Sequence, residues 1–270
     1  MSTRDGEQTS AAAGVGVWVG DQGSVRPDHP RRALGLLWPN LPLLLTGSLL
    51  VSLTWLLVRM VAPGLSLVAV ILHSLLVVPT FVALLVTCQV LLIGEHVRVS
   101  DLFRTWGRRY LRSVMATLPV TVAVLLTFAA LDVWHLSGQV WMLVSVGLGL
   151  TVSVLALFSW VLALPYALGS ASGSVKRWWL VGFFAASHNA LPVLGVLSLA
   201  GLCVWVVQTY SIAFTFLVPA LLALVWAAAF AAAADRTPVL LERGTGETPA
   251  ATNPAASKAM QPRVTKPTKR

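Results

Sequence analysis

The residues of this sequence best placed for chemistry are Arg59, His73, Asp132 and His135. Each sits in or beside a long apolar run, and an ionisable group in hydrocarbon costs enough to be a functional suspect. His73 is the one histidine well inside such a run. Arg59 closes the run before it, and Asp132 and His135 border the turn after the third run. All four fall in the same half of a helical bundle, so an Arg59–Asp132 pair with His73 nearby would make a site for a small solute or a proton. The plainer reading is favoured: Arg59, Asp132 and His135 snorkel to the interface, and His73 is a neutral, hydrogen-bonded imidazole.

Asp132-x-x-His135 is one ligand pair without a third member, so no metal is expected. Cys88 and Cys203 lie inside apolar runs without a ligand partner and read as small hydrophobes. No Walker-type loop, GxSxG elbow, HExxH or CxxC occurs. Nor does a base stand beside an electrophile-stabilising partner. The expectation is a protein that is not an enzyme, with no catalytic residue, no metal and no cofactor.

A second group of residues suits binding. In the stretch Ser100 to Val114, apolar Leu102, Phe103, Trp106, Tyr110 and Val114 recur at helical spacing. Arg104, Arg108 and Arg112 form an i, i+4 stripe with Arg109 beside it. Ser100 is placed to cap the first turn, and Asp101 sits where the helix dipole favours an acid. The pattern predicts an amphipathic helix in the headgroup plane, aromatics down and arginines toward phosphates. The stretch from Ser174 repeats it with Lys176, Arg177, Trp178, Trp179 and Phe183. The plainer role is a topology anchor; the functional one is a docking surface for a cytosolic or membrane protein partner.

What must position these groups is a membrane-spanning bundle. The chain is 57% apolar and 11% charged, with a mean hydropathy of +0.80. Arg59 is the only charged residue from Leu41 to Gly94, Asp132 the only one from Ser113 to Val175, and Trp178 to Ala234 holds none. Each block is long enough for two spans, since a helix needs about 20 residues to cross ~30 Å of hydrocarbon. The spans expected are Leu41–Val58, Leu67–Ile93 (tilted, or kinked at Pro79), Ser113–Leu131, Val140–Leu168, Asn189–Gln208 and Ile212–Ala234. Asn40, Gln89, His188 and Asn189 fall toward helix ends, where they would bind those ends or one another. Small residues, as in Gly147-x-Gly149 and Ala227 to Ala234, suit close helix packing.

Charge sets the threading. Eighteen of the 19 Lys and Arg fall in segments that six spans put on one side, and only Arg59 falls on the other. Basic loops resist translocation, so both ends are expected in the cytoplasm. The net charge of +9 then reads as topology plus attraction to anionic headgroups of the bilayer, not as nucleic-acid binding. The fold class expected is all-α: a polytopic membrane protein of six transmembrane helices with amphipathic cytoplasmic connecting helices. It divides into a disordered tail (1–30), a transmembrane domain (31–236) and a disordered basic tail (237–270). With no apolar stretch in residues 1–30, no cleavable signal peptide is expected. Leu41-Pro42, Leu118-Pro119 and Leu191-Pro192 hint at three hairpins of similar design.

The stretch Val78 to Ser113, with Pro79, Ala83, Gly94-Glu95, Phe103, Arg104 and Tyr110, resembles the YesL-like family of bacterial membrane proteins, a family defined by a domain of unknown function. Asn40 and Ser187-His188-Asn189 look similar too, and the likeness would cover about Arg31 to Arg236. It implies a six-span protein of the bacterial cytoplasmic membrane with a transport-associated, accessory role near carbohydrate uptake. The long basic C-terminal tail and the missing Thr-Ile-Gly-Pro-like run after the proline depart from that pattern. Two further expectations stand beside it: a small secondary transporter using the Arg59, His73, Asp132 and His135 group and, last, a membrane-embedded enzyme.

Overall fold

The computed structural model describes residues 35, 38–64, 66–93, 97–170, 174–209 and 212–237. The tails expected at 1–30 and 237–270 lie outside the described residues, Thr237 excepted, as do Gly94, Glu95 and His96. Among the described residues every regular element is helical. Six helices are long and apolar enough to cross a bilayer, so the chain is an all-α, multi-pass membrane protein.

The first span is α1 (Leu41–Val61), with Pro42 in its first turn, where a missing amide costs little. The second is composite: α2 (Leu67–Leu72), a π-helical turn at His73–Val77, then α3 (Val78–Ile93). The break expected at Pro79 thus takes the form of a widened turn just before the proline, with the Val78 amide reaching back to the His73 carbonyl. Helix α4 (Val99–Ser137) and α5 (Met142–Gly169) form a long hairpin. Gly138 closes α4 at φ 63°, a left-handed position suited to glycine, and its amide bonds the Trp134 carbonyl at 2.9 Å. A shorter α6 (Val175–His188) leads into α7 (Ala190–Thr209). A 3₁₀ turn at Ile212–Phe216 precedes α8 (Val218–Arg236).

One expectation needs correcting. Residues 100–114 are helical and amphipathic, but they are not a separate helix lying in the headgroup plane. They are the opening turns of α4, which runs unbroken for 39 residues. No glycine or proline stands between Tyr110 and Val114, so helix propagates straight into the apolar run. The cap also differs. Val99 begins the helix, and the Asp101 carboxylate, not Ser100, accepts the Arg98 amide at 3.0 Å.

The core collects at α3, α5 and α8, where Leu84, Leu85, Leu164 and Ala227 are fully enclosed. Helix α4 packs most extensively on α5, and α5 next on α6. Small residues make these approaches close, as packing within lipid requires. A Cβ on Gly149 would stand 2.9 Å from Thr127 Oγ1, and one on Gly182 would stand 2.4 Å from the Ala163 Cβ and 2.8 Å from its backbone nitrogen. Gly147, by contrast, faces open space. The alanine-rich end of α8 is packed as expected, with Ala227, Ala228, Ala231 and Ala233 buried.

One interior proline has side-chain compensation. Pro165 in α5 has no amide to offer the Val161 carbonyl, and the Trp226 indole nitrogen supplies the bond at 2.6 Å. Pro119 in α4 instead leaves the Met115 carbonyl without its helical donor; the Trp179 indole bonds the next carbonyl, Ala116, at 3.2 Å and ties α6 to α4. Trp226 also packs against Trp160, with ring centroids 5.0 Å apart, and against Phe81 at 5.5 Å. It thereby joins α8 to α5 and α3.

Candidate functional site

The group Arg59, His73, Asp132 and His135 is not joined by any hydrogen bond or ion pair. Arg59 is exposed, with its guanidinium carbon 5.3 Å from the Trp55 ring centroid, a cation–π contact within one helix. His73 is half-buried and its Nδ1 bonds the Ala69 carbonyl at 2.7 Å, one turn back. Asp132 is exposed, and exposed His135 lies 4.8 Å from the Trp134 ring. These are the local contacts of the plainer reading. The neighbourhood of His73 is still unusual, because it opens the π-helical turn and is followed by Ser74, whose hydroxyl meets that of Thr121 at 2.7 Å. No group of three or more metal-ligating side chains occurs among the described residues.

Polar chemistry converges instead at the end of the bundle where α4 begins and α5 ends, here called the basic end. The opening turns of α4 present three faces. Leu102 is buried, its Cδ1 3.1 Å from where a Cβ on Gly47 of α1 would stand, so this segment packs on protein and not only on lipid. Phe103, Trp106 and Tyr110 are exposed on a second face, with Trp106 and Tyr110 edge to face at 6.3 Å. Arg104, Arg108 and Arg112 are exposed on the third, the stripe expected from their spacing.

Arg109, beside that stripe, behaves differently. It turns into the α4–α5 seam, half-buried, and its Nη1 donates to the Leu168 carbonyl. Arg112 reaches the same helix end, its Nη1 donating to the Ser170 carbonyl at 3.0 Å. The last carbonyls of a helix lack intrahelical donors and carry the negative end of its dipole, so two guanidinium groups there close α5. The helical faces of α4 explain which arginine turns inward: Leu102, Arg109, Ser113 and Ala116 lie on one side.

The N-terminal turn of α6 meets this place. Ser174 caps it, its hydroxyl accepting the Arg177 amide at 3.4 Å. Lys176 is exposed and Arg177 half-buried. Trp178, by contrast, is 6% exposed and its indole nitrogen has no hydrogen-bond partner among the described residues. On the facing helix Tyr166 is 4% exposed, and its hydroxyl likewise has none. Each enclosed polar group left unpaired costs about 1–3 kcal/mol, so two in one seam is an unusual arrangement.

The helix-end amides expected to bind nearby groups do so only in part. Asn189 donates to the Ala185 carbonyl at 3.0 Å, while its Oδ1 and the Gln89 Nε2 are enclosed without partners. His188 bonds the Phe184 carbonyl at 2.9 Å and is exposed. Cys88 and Cys203 are free thiols. Tyr166 has no assigned role in the sequence; it comes to the same seam as Trp178 only through the packing of α5 on α6. Compared with protein families, with curated proteins and with solved structures, the chain matches none.

Proposed function

We propose that this multi-pass membrane protein is a non-enzymatic, transport-associated accessory protein of the YesL-like kind, held in a bacterial cytoplasmic membrane with its basic end in the cytoplasm. In this reading its exposed Arg104 and Arg108, beside Phe103, Trp106 and Tyr110, engage anionic headgroups and a protein partner of a carbohydrate-uptake system. The observation that carries the reading is the division of labour in α4: Arg109 and Arg112 bind the end of α5, while Arg104, Arg108 and three aromatics stay exposed on the same turns. A rigid, aromatic- and arginine-bearing helix end is suited to docking. Crosslinking in native membranes followed by purification tests it. A specific membrane or cytosolic partner should be captured by the wild-type chain and lost with Arg104→Gln/Arg108→Gln. Equal capture by both would remove the reading.

A second reading, a small secondary transporter, draws on the π-helical turn at His73 and the Ser74–Thr121 hydroxyl pair. Such turns recur at functional sites. Reconstituted vesicles test it: solute or proton flux that is abolished by His73→Ala supports transport, and flux that survives the change discards it.

A further inference from the structure

The N-terminal turn of α6 combines three features that point to one kind of ligand. Helix N-termini attract anions through their free amides and dipole. Lys176 and Arg177 add two positive charges in that turn, and Arg109 and Arg112 bring two more guanidinium groups to the adjoining end of α5. The third feature is independent of charge. The Trp178 indole N–H and the Tyr166 hydroxyl are both enclosed and both lack an acceptor.

They belong to one seam. Gly182 of α6 crosses Ala163 of α5 at close range. One turn from that crossing, on antiparallel helices, stand Trp178 and Tyr166. Arg177 stands next to Trp178 in the first turn of α6. An indole nitrogen can only donate, so what it lacks is an acceptor.

We propose that the α5–α6 junction binds the phosphate group of an anionic phospholipid, its non-bridging oxygens accepting from Tyr166 and Trp178 with Lys176 and Arg177 balancing the charge. The junction lies where one span, α5, ends and α6 begins; the end of a span borders the headgroup region, which favours lipid over a dissolved ion as the source. Tyrosine and tryptophan suit that depth, each with an apolar body and a polar tip. The site is separate from the Arg104–Arg108 surface and stands whether or not that surface finds a partner.

The test uses the full chain purified in a neutral detergent. Native mass spectrometry and the thermal midpoint are followed as phosphatidylglycerol or inorganic phosphate is added, for the wild type and for Tyr166→Phe and Trp178→Phe. Each substitution removes one donor and keeps a ring. The wild type should bind phosphatidylglycerol saturably, with a raised midpoint, and each variant should bind it about tenfold more weakly, the factor set by one charge-assisted hydrogen bond. Saturable stabilisation by inorganic phosphate, weakened by the same variants, would support the oxyanion site and assign it to a soluble phosphate. Binding equal to wild type in both variants overturns the proposal, because an enclosed water then accounts for the two donors. Should a variant fail to fold, the wild type decides alone: non-saturating stabilisation by phosphatidylglycerol overturns the site.

Discussion

Trp226 on α8 donates to the Val161 carbonyl of α5 at 2.6 Å, and Val161 is the residue whose helical acceptor position Pro165 leaves empty. The proline thus creates a vacancy that a neighbouring helix fills. In lipid, where no water reaches a freed carbonyl, such a bond specifies which helices pair.

Trp226→Phe removes the donor and keeps a ring against Trp160 and Phe81. It should lower stability by about 1–3 kcal/mol, the cost of an enclosed carbonyl without a partner. The thermal midpoint of the detergent-solubilised protein measures this, and a midpoint equal to the wild type's would remove the role assigned to Trp226.

Gly182 and Gly147 make a paired comparison. Gly182→Ala forces a methyl against the Ala163 backbone and should destabilise by about 1–3 kcal/mol. Gly147→Ala meets open space within its helix and should be neutral or slightly stabilising. Equal midpoints for the two variants would contradict the close crossing of α5 and α6.

Two neighbouring arginines should respond differently. Arg109→Gln loses a charged donor to the Leu168 carbonyl, a bond worth about 1.5–3 kcal/mol, and should lower the midpoint. Arg104→Gln changes an exposed side chain and should shift stability by less than about 0.5 kcal/mol. Reversal of that order would mean Arg109 is not the inward-facing residue.

Threading is tested with fused reporters. Alkaline phosphatase inserted near Gly138 should be active outside the cytoplasm, and a fluorescent reporter after Arg270 should mature inside it. Either reporter on the wrong side would invert or break the six-span arrangement.

Much of the fold is legible from hydropathy because lipid demands unbroken apolar helices. The ends of α1, α5 and α7 fall within three residues of the boundaries read from Val58, Leu168 and Gln208. Pro79 announces a break, though not that the break would be a π turn beginning at His73. The start of α4 is less legible. The change from charged to apolar residues at Ser113 looks like a boundary between two elements, yet helix propensity continues across it and only composition changes. Arg109 and the Tyr166–Trp178 pair are least legible of all. Their roles depend on which faces of α4, α5 and α6 meet, and periodicity gives a face without naming its neighbour.

Helix α4 is one rod of 39 residues, about 58 Å long at 1.5 Å per residue. It carries exposed arginines at one end and the Thr127–Ser153 hydroxyl bond toward the other. A lever of that length converts small rotations into measurable strokes: a tilt of about 5° about its midpoint moves each tip by about 2.5 Å. Between its exposed arginines and Thr127 the only interior proline of this rod is Pro119, so the two ends of the helix are joined by continuous helical backbone.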